Sequence, residues 1–125
     1  MGLAVQGRQG IVDMLTNIYA SECKIVKSSR AYLAILPSYM SNIWAEIMSK
    51  GMKNLGVVII VNQIPDDAPE ILKISGGRIP FRRTIRAFRR PNGATYLITL
   101  PTALQPLWEY LYRKGIKIDI IFFLK

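Results

Sequence analysis

The stretch YLAILPSYMSNIWAEIMSKGMK, residues 32–53, returns as YLITLPTALQPLWEYLYRKGIK, residues 96–117. The offset is 64 residues without a gap. Eight of the 22 positions are identical: Tyr32/Tyr96, Leu33/Leu97, Leu36/Leu100, Pro37/Pro101, Trp44/Trp108, Lys50/Lys114, Gly51/Gly115 and Lys53/Lys117. Chance would give about one or two, so the chain carries an internal repeat. Other pairs swap like for like, as in Met40/Leu104, Ile43/Leu107 and Ile47/Leu111. YLAIL and YLITL are short apolar runs stopped by proline, a strand signature. Met40, Ile43, Trp44 and Ile47 then recur at helical spacing, as do Leu104, Leu107, Trp108 and Leu111. Gly51 and Gly115 each follow a lysine where such a helix would stop. A second apolar run, GVVIIV or IDIIFFL, comes after each. Each unit reads as strand, short helix, strand.

Proline is tolerated only in the first turn of a helix, so Pro106 sets a helix start near Gln105. The equivalent start is near Ser41, a good capping residue, with Ser38 and Thr102 left in turns. Helices of about three turns are marginal alone. Trp44 and Trp108 must hold them against the strands, and both are expected in the core.

Working outward, residues 22–30 (ECKIVKSSR) read as a strand followed by a turn at Ser28-Ser29. The counterpart, residues 84–94 (TIRAFRRPNGA), has an explicit hairpin turn at Asn92-Gly93. Each repeat therefore opens with a hairpin whose arms flank a basic tip. Tyr32 and Tyr96 are expected to pack. Between the repeats IPDDAP is a loop, and Asp66, Asp67 and Glu70 read as solvated acids rather than a metal site. EILKIS, residues 70–75, fits a fourth strand of the first unit. The second unit has no such strand, a gap open to the N-terminal LAV segment or to a partner subunit. Ile11, Val12, Leu15, Ile18 and Tyr19 suggest a short amphipathic helix, and LAV a strand.

A chain of 125 residues suits one domain. The expected organisation is a single compact domain over 1–125, with repeat one at 22–75, repeat two at 78–125 and an extension at 1–21. Seventeen Lys and Arg against eight Asp and Glu give +9, which favours an anionic partner. No apolar run approaches the roughly 20 residues of a bilayer span. The first ten residues lack a signal-peptide core. A membrane surface is the weakest partner reading, because the cations sit on strands rather than on an amphipathic helix. One cysteine and no histidine exclude an internal disulfide, a Cys/His zinc site and histidine-dependent nucleophilic catalysis. Cys23 reads as a small buried or edge residue, the alternative being a reactive thiol or an intermolecular disulfide. The cysteine usage fits a cytoplasmic setting. Asp13, Glu22, Glu46, Glu109 and Asp119 show no convergent spacing, so no enzyme, metal or cofactor is expected.

The most polarised stretch is RIPFRRTIRAFRR, residues 78–90, with six arginines and no acid. Such a run repels itself unless an anion compensates, and guanidinium forks suit phosphate and guanine edges. The bland alternative is a solvated basic face. Phe81 and Phe88 inside it are expected to point into the core, the alternative being that they stack on bases as in single-strand binders.

A basic first strand, a Gly-containing turn, YLITLP, a short helix and KGIKIDIIF together resemble the AbrB/SpoVT swapped-hairpin family. That family includes MazE-type antitoxin DNA-binding ends and N-terminal modules of archaeal PhoU-like regulators. The residues that carry the likeness are 92–101 and 107–122, with a weaker echo over 23–61. The resemblance implies a mainly β fold with short helices, in which two swapped-hairpin units form a small β-barrel. Here both units lie in one chain, which implies a fused pseudo-dimer. It also implies non-catalytic binding of double-stranded DNA, with transcription regulation as the role. Family DNA binders often carry arginines after the proline of the strand-to-helix turn, whereas PSYMSN and PTALQP carry no charge. The expected DNA contacts therefore fall on the hairpins: Lys24, Lys27 and Arg30 in one unit, Arg82, Arg83, Arg86, Arg89 and Arg90 in the other. The alternative is a protein-interaction module, antitoxin-like or an assembly adaptor, on the same fold. The uncharged helix starts and the apolar IDIIFFL fit that alternative, and a homodimer is compatible with either reading.

Overall fold

The computed structural model describes residues 10–125. The LAV segment and the rest of residues 1–9 lie outside the described residues. The fold is mainly antiparallel β with a few short helices. Seven strands form one curled, half-barrel sheet: β1 (Asn17–Lys27), β2 (Tyr32–Ile35), β3 (Leu55–Ile60), β4 (Arg78–Arg83), β5 (Arg86–Arg90), β6 (Gly93–Thr99) and β7 (Ile118–Phe123). Their order across the sheet is β4-β3-β7-β1-β2-β6-β5. The two edge strands, β4 and β5, are joined by only Thr84 and Ile85, so the sheet must curl to bring its ends together.

Three helices punctuate the strands: α1 (Ser41–Ser49), α2 (Glu70–Ile74) and α3 (Gln105–Lys114). α1 and α3 follow 3-10 turns at Ser38–Met40 and Thr102–Leu104, as the proline positions predict. Ser41 does not cap α1 through its side chain; its hydroxyl donates to the Ser38 carbonyl at 2.7 Å. Both helices end on a left-handed glycine, Gly51 and Gly115, each with φ of 69°. Met52 N–H then reaches back to the Ile47 carbonyl, and Ile116 N–H to the Leu111 carbonyl. This closes the last turn and consumes carbonyls the helix would leave free.

The two tryptophans explain the spacing of the repeat. Trp44 Nε1 donates to the Pro37 carbonyl at 3.0 Å, and Trp108 Nε1 to the Pro101 carbonyl at 2.7 Å. Each indole thus pins its helix to the end of the preceding strand while its rings fill the core. Trp44 packs against Phe122 at 5.3 Å between centroids, and Trp108 against Phe81 at 6.3 Å. Tyr32 is buried and Tyr96 half-buried, as expected.

Strand pairing exchanges partners between the repeats. The first half of β1 pairs with β7 of the second repeat, and β4 of the second repeat pairs with β3 of the first. In the β2–β6 ladder Ala34 faces Ile98, its own counterpart 64 residues on. Leu33↔Thr99 and Ile35↔Leu97 interchange under the same offset, and so do Val57↔Phe122 and Val58↔Ile121 between β3 and β7. Two flanking bonds repeat the relation: Leu36 N–H to the Tyr96 carbonyl and Leu100 N–H to the Tyr32 carbonyl, both at 2.9 Å.

Three local expectations are corrected. EILKIS forms the helix α2 rather than a fourth strand. Its Ile71, Leu72 and Ile74 fit a helical face as well as a strand, and Leu72 is the buried one. With no fourth strand in the first unit, the gap inferred for the second disappears. Residues 11–19 do not form an amphipathic helix. A 3-10 turn covers Ile11–Met14, and β1 takes Ile18 and Tyr19 because pairing with β7 outweighs local propensity. Phe88 is not in the core; it is 60% exposed.

Candidate nucleic-acid interface

β1, β2, β6 and β5 form a four-strand segment of the sheet, and alternation decides what it shows. One face carries Ile25, Ala34 and Ile98, all buried and paired across the strands. The opposite face carries the row Lys24, Ile35, Leu97 and Arg86, read across in register. Val26, Leu33 and Thr99 lie in the next row, and Thr95 faces Phe88 in another. The outer face therefore has a half-buried apolar centre between exposed cations. Lys24 and Arg86 stand three strand spacings apart, about 14 Å.

The hairpin tips do not share an end. β2 and β6 run antiparallel, so the tip after β1 and the tip after β5 point opposite ways. Lys27 and Arg30 belong to one end, Arg89 and Arg90 to the other. Arg86, Phe88 and Arg90 occupy one face of β5, and Arg89 the other.

Arg82 and Arg83 sit on β4 and are partly committed. Arg82 donates to the Asn54 carbonyl at 2.7 Å. Arg83 is half-buried, donates to the Thr99 carbonyl at 2.9 Å and to the Arg82 carbonyl at 2.8 Å, and its guanidinium lies 5.5 Å from the Phe81 ring. It stitches β4 to the end of β6. The eight expected residues thus form an exposed set on the outer face and tips, plus two arginines with a structural task.

Among the described residues the ion pairs fall elsewhere. Lys50 pairs with Asp13 at 2.8 Å, Lys114 with Asp67 at 2.9 Å, and Arg113 with Glu109 at 3.7 Å. None uses Lys24, Lys27, Arg30 or the arginines of β4 and β5. The Lys50 ammonium holds the Asp13 carboxyl below its ordinary range. The Tyr110 hydroxyl and Lys114 do the same for Asp67, so this acid of the IPDDAP loop is engaged rather than freely solvated. No group of three or more metal-ligating side chains gathers among the described residues.

Chemical reactivity is suppressed at the one thiol. Cys23 is 1% exposed and its Sγ leans on the Ala20 carbonyl. Burial, with a smaller push from the Asp119 charge, raises its pKa to about 12. Thiolate is the nucleophile, so Cys23 is inert in the folded protein and unplaced for a disulfide between molecules. Native protein is expected to react with an aromatic disulfide reagent at least about a hundredfold more slowly than unfolded protein. Rapid labelling of one thiol per folded chain would contradict this burial.

Of the two phenylalanines for which the sequence leaves core packing or base stacking open, Phe88 is the one that stands outside the core. Its signal was present: in RAFRR, a period of two puts Arg86, Phe88 and Arg90 together and gives the inward place to Ala87. Comparison of the chain with protein-family models, with curated proteins and with solved structures returns no match. No helix among the described residues is long and apolar enough to cross a membrane.

Proposed function

We propose that this chain is a non-catalytic binder of double-stranded DNA, acting inside the cell in transcription regulation and contacting DNA through its basic β-hairpins. One observation carries the reading. The chain's cation–carboxylate pairs are made by Lys50, Arg113 and Lys114, while the cations of the hairpins stand without carboxylate partners among the described residues. Phosphate is the anion that such a spread of guanidinium and ammonium groups fits. The exchange of strands between the repeats, with ladders that map onto themselves, supports a fused pair of AbrB/SpoVT-like swapped hairpins. Phosphate contacts at Lys24, Arg86 and Arg90 on the outer face would position the duplex; Arg89 at the tip after β5, and Lys27 and Arg30 at the opposite tip, extend the contact.

The test is fluorescence anisotropy with labelled duplexes across a salt series. The variant changes Lys24, Arg86, Arg89 and Arg90 to Gln and spares Arg82 and Arg83, which hold β4 to its neighbours. Wild type is expected to bind below micromolar at low salt. Each phosphate contact adds about −0.9 to the slope of log affinity against log salt, so the variant should lose about 3 to 4 from it. Weak binding that is equal for both proteins would overturn the reading. It would favour the second one, a protein partner on the outer face, for which Val26, Leu33, Ile35 and Leu97 supply a half-exposed apolar centre.

A further inference from the structure

β5 is an edge strand, and its hairpin with β6 turns at Pro91 and Asn92 between the paired residues Arg90 and Gly93. Phe88 stands on this edge, 60% exposed. Across the ladder it faces only Thr95, and the other side of β5 carries no strand among the described residues. No further strand covers the ring among the described residues. Other aromatic side chains are exposed too, including Tyr39, Tyr19, Tyr112 and Phe123. Among these, only Phe88 has a guanidinium across its ring, that of Arg90 at 5.9 Å. Arg86 lies two residues away on the same face. No acid occurs anywhere in residues 71–108; the acid Glu22 lines a cleft with Lys24 and Thr95 on the far side of β6 from β5.

We infer that Phe88 is a wedge that enters between two stacked base pairs of duplex DNA from the minor groove, with Arg86 and Arg90 clamping the phosphates on either side. The inference rests on the duplex-binding reading above and names how that site engages its ligand. Same-face residues on a strand are about 6.8 Å apart, so Arg86 and Arg90 stand about 13 to 14 Å apart with the ring midway. The minor groove is about 6 Å wide, and the phosphates lie outside its walls. A protruding apolar ring can reach the floor of that groove while two arginine forks grip its rims. Apolar wedges of this kind unstack one base step and bend the duplex towards the major groove. Insertion also selects sequence without reading base edges. Flexible pyrimidine–purine steps such as TA cost least to unstack, whereas A-tracts are stiff.

The test uses the full chain, a duplex with 2-aminopurine beside a central TA step, and a second duplex labelled at both ends for energy transfer. Binding of wild type is expected to raise the 2-aminopurine fluorescence and shorten the end-to-end distance. Phe88→Ala should bind with the same salt slope and lose both signals. Its preference for the TA duplex over an A-tract duplex should fall by about tenfold. Phe88→Leu, which keeps an apolar wedge, should retain part of each signal. The side chain is exposed, so circular dichroism melts of both variants should match wild type. If Phe88→Ala unstacks and bends DNA as wild type does, the wedge is wrong. If wild type binds with a steep salt slope but neither unstacks nor bends the duplex, the wedge is wrong while the duplex reading stands. If wild type does not bind duplexes at all, the duplex reading fails first and the wedge with it.

Discussion

Trp44→Ala is expected to cost about 3 to 5 kcal/mol of folding stability. The side chain has no exposed surface and packs its rings against Phe122. Removing it leaves a cavity between α1 and the strands, and the surroundings relax only partly. It also strips the Pro37 carbonyl of its indole donor. Domains of this size have total stabilities of about 5 to 15 kcal/mol, so the loss would leave the protein near its unfolding threshold. Trp44→Phe separates the two contributions. It keeps most of the apolar volume and removes the N–H, for an expected cost of about 1 to 3 kcal/mol. Trp108→Ala should behave alike, since Trp108 repeats the bond to Pro101 and is equally buried. Urea melts of the three variants read these numbers. A loss under about 1 kcal/mol for Trp44→Ala would mean that α1 is not held by its indole.

Asp119→Ala is expected to cost about 2 to 3 kcal/mol at neutral pH and much less in acid. Asp119 is 7% exposed and is the one buried charged side chain among the described residues. Its carboxylate accepts from the Tyr19 hydroxyl at 2.5 Å, the Glu22 N–H at 2.8 Å and the Asn62 amide at 2.8 Å. Glu22 lies where β1 bulges and changes partner, and its φ of 54° is a left-handed conformation that non-glycine residues seldom adopt. The carboxylate therefore holds the bend that lets one strand serve two partners. Burial pushes its pKa up, but the three donors together outweigh burial and leave it below 3.8. The same bond raises the Tyr19 phenol above its ordinary value. Protonation of Asp119 is harder in the folded than in the unfolded chain. Its contribution is complete above the unfolded value near 3.8 and is lost as pH falls through the lower folded value. Stability curves of wild type and Asp119→Ala should accordingly lie apart at pH 7 and converge as pH falls below 3.8. Parallel curves across that range would show that Asp119 is not ionised in its site.

The repeat was legible because its signals are local. Pro37 and Pro101 end strands, Gly51 and Gly115 end helices, and the apolar residues between them keep helical period. Each of these is a property of a few adjacent residues. α2 was misread for a related reason. Five residues are too few for periodicity to separate helix from strand. Pro69 before it and Gly76-Gly77 after it were the better guides, since they punctuate a helix. For Phe88 two signals conflict: aromatic residues in strands are usually core, whereas the alternation of RAFRR turns this one outward.

The cation site was legible only as a set of residues. The sequence by itself determined which side chains are basic, that a group of them falls on the hairpins, and that no acid interrupts residues 71–108. It also determined that each unit is strand, helix, strand, because backbone preference and apolar period act within a few residues. Only the tertiary structure decided which strands pair. β1 with β7 and β4 with β3 are contacts between repeats, and their register depends on packing summed over the whole sheet. That pairing turned the two hairpin tips to opposite ends, set Arg83 against the Thr99 carbonyl, and left Phe88 on an open edge beside Arg90. Strand partners far apart in the chain are chosen by the free energy of the closed sheet, a quantity no short stretch of sequence carries.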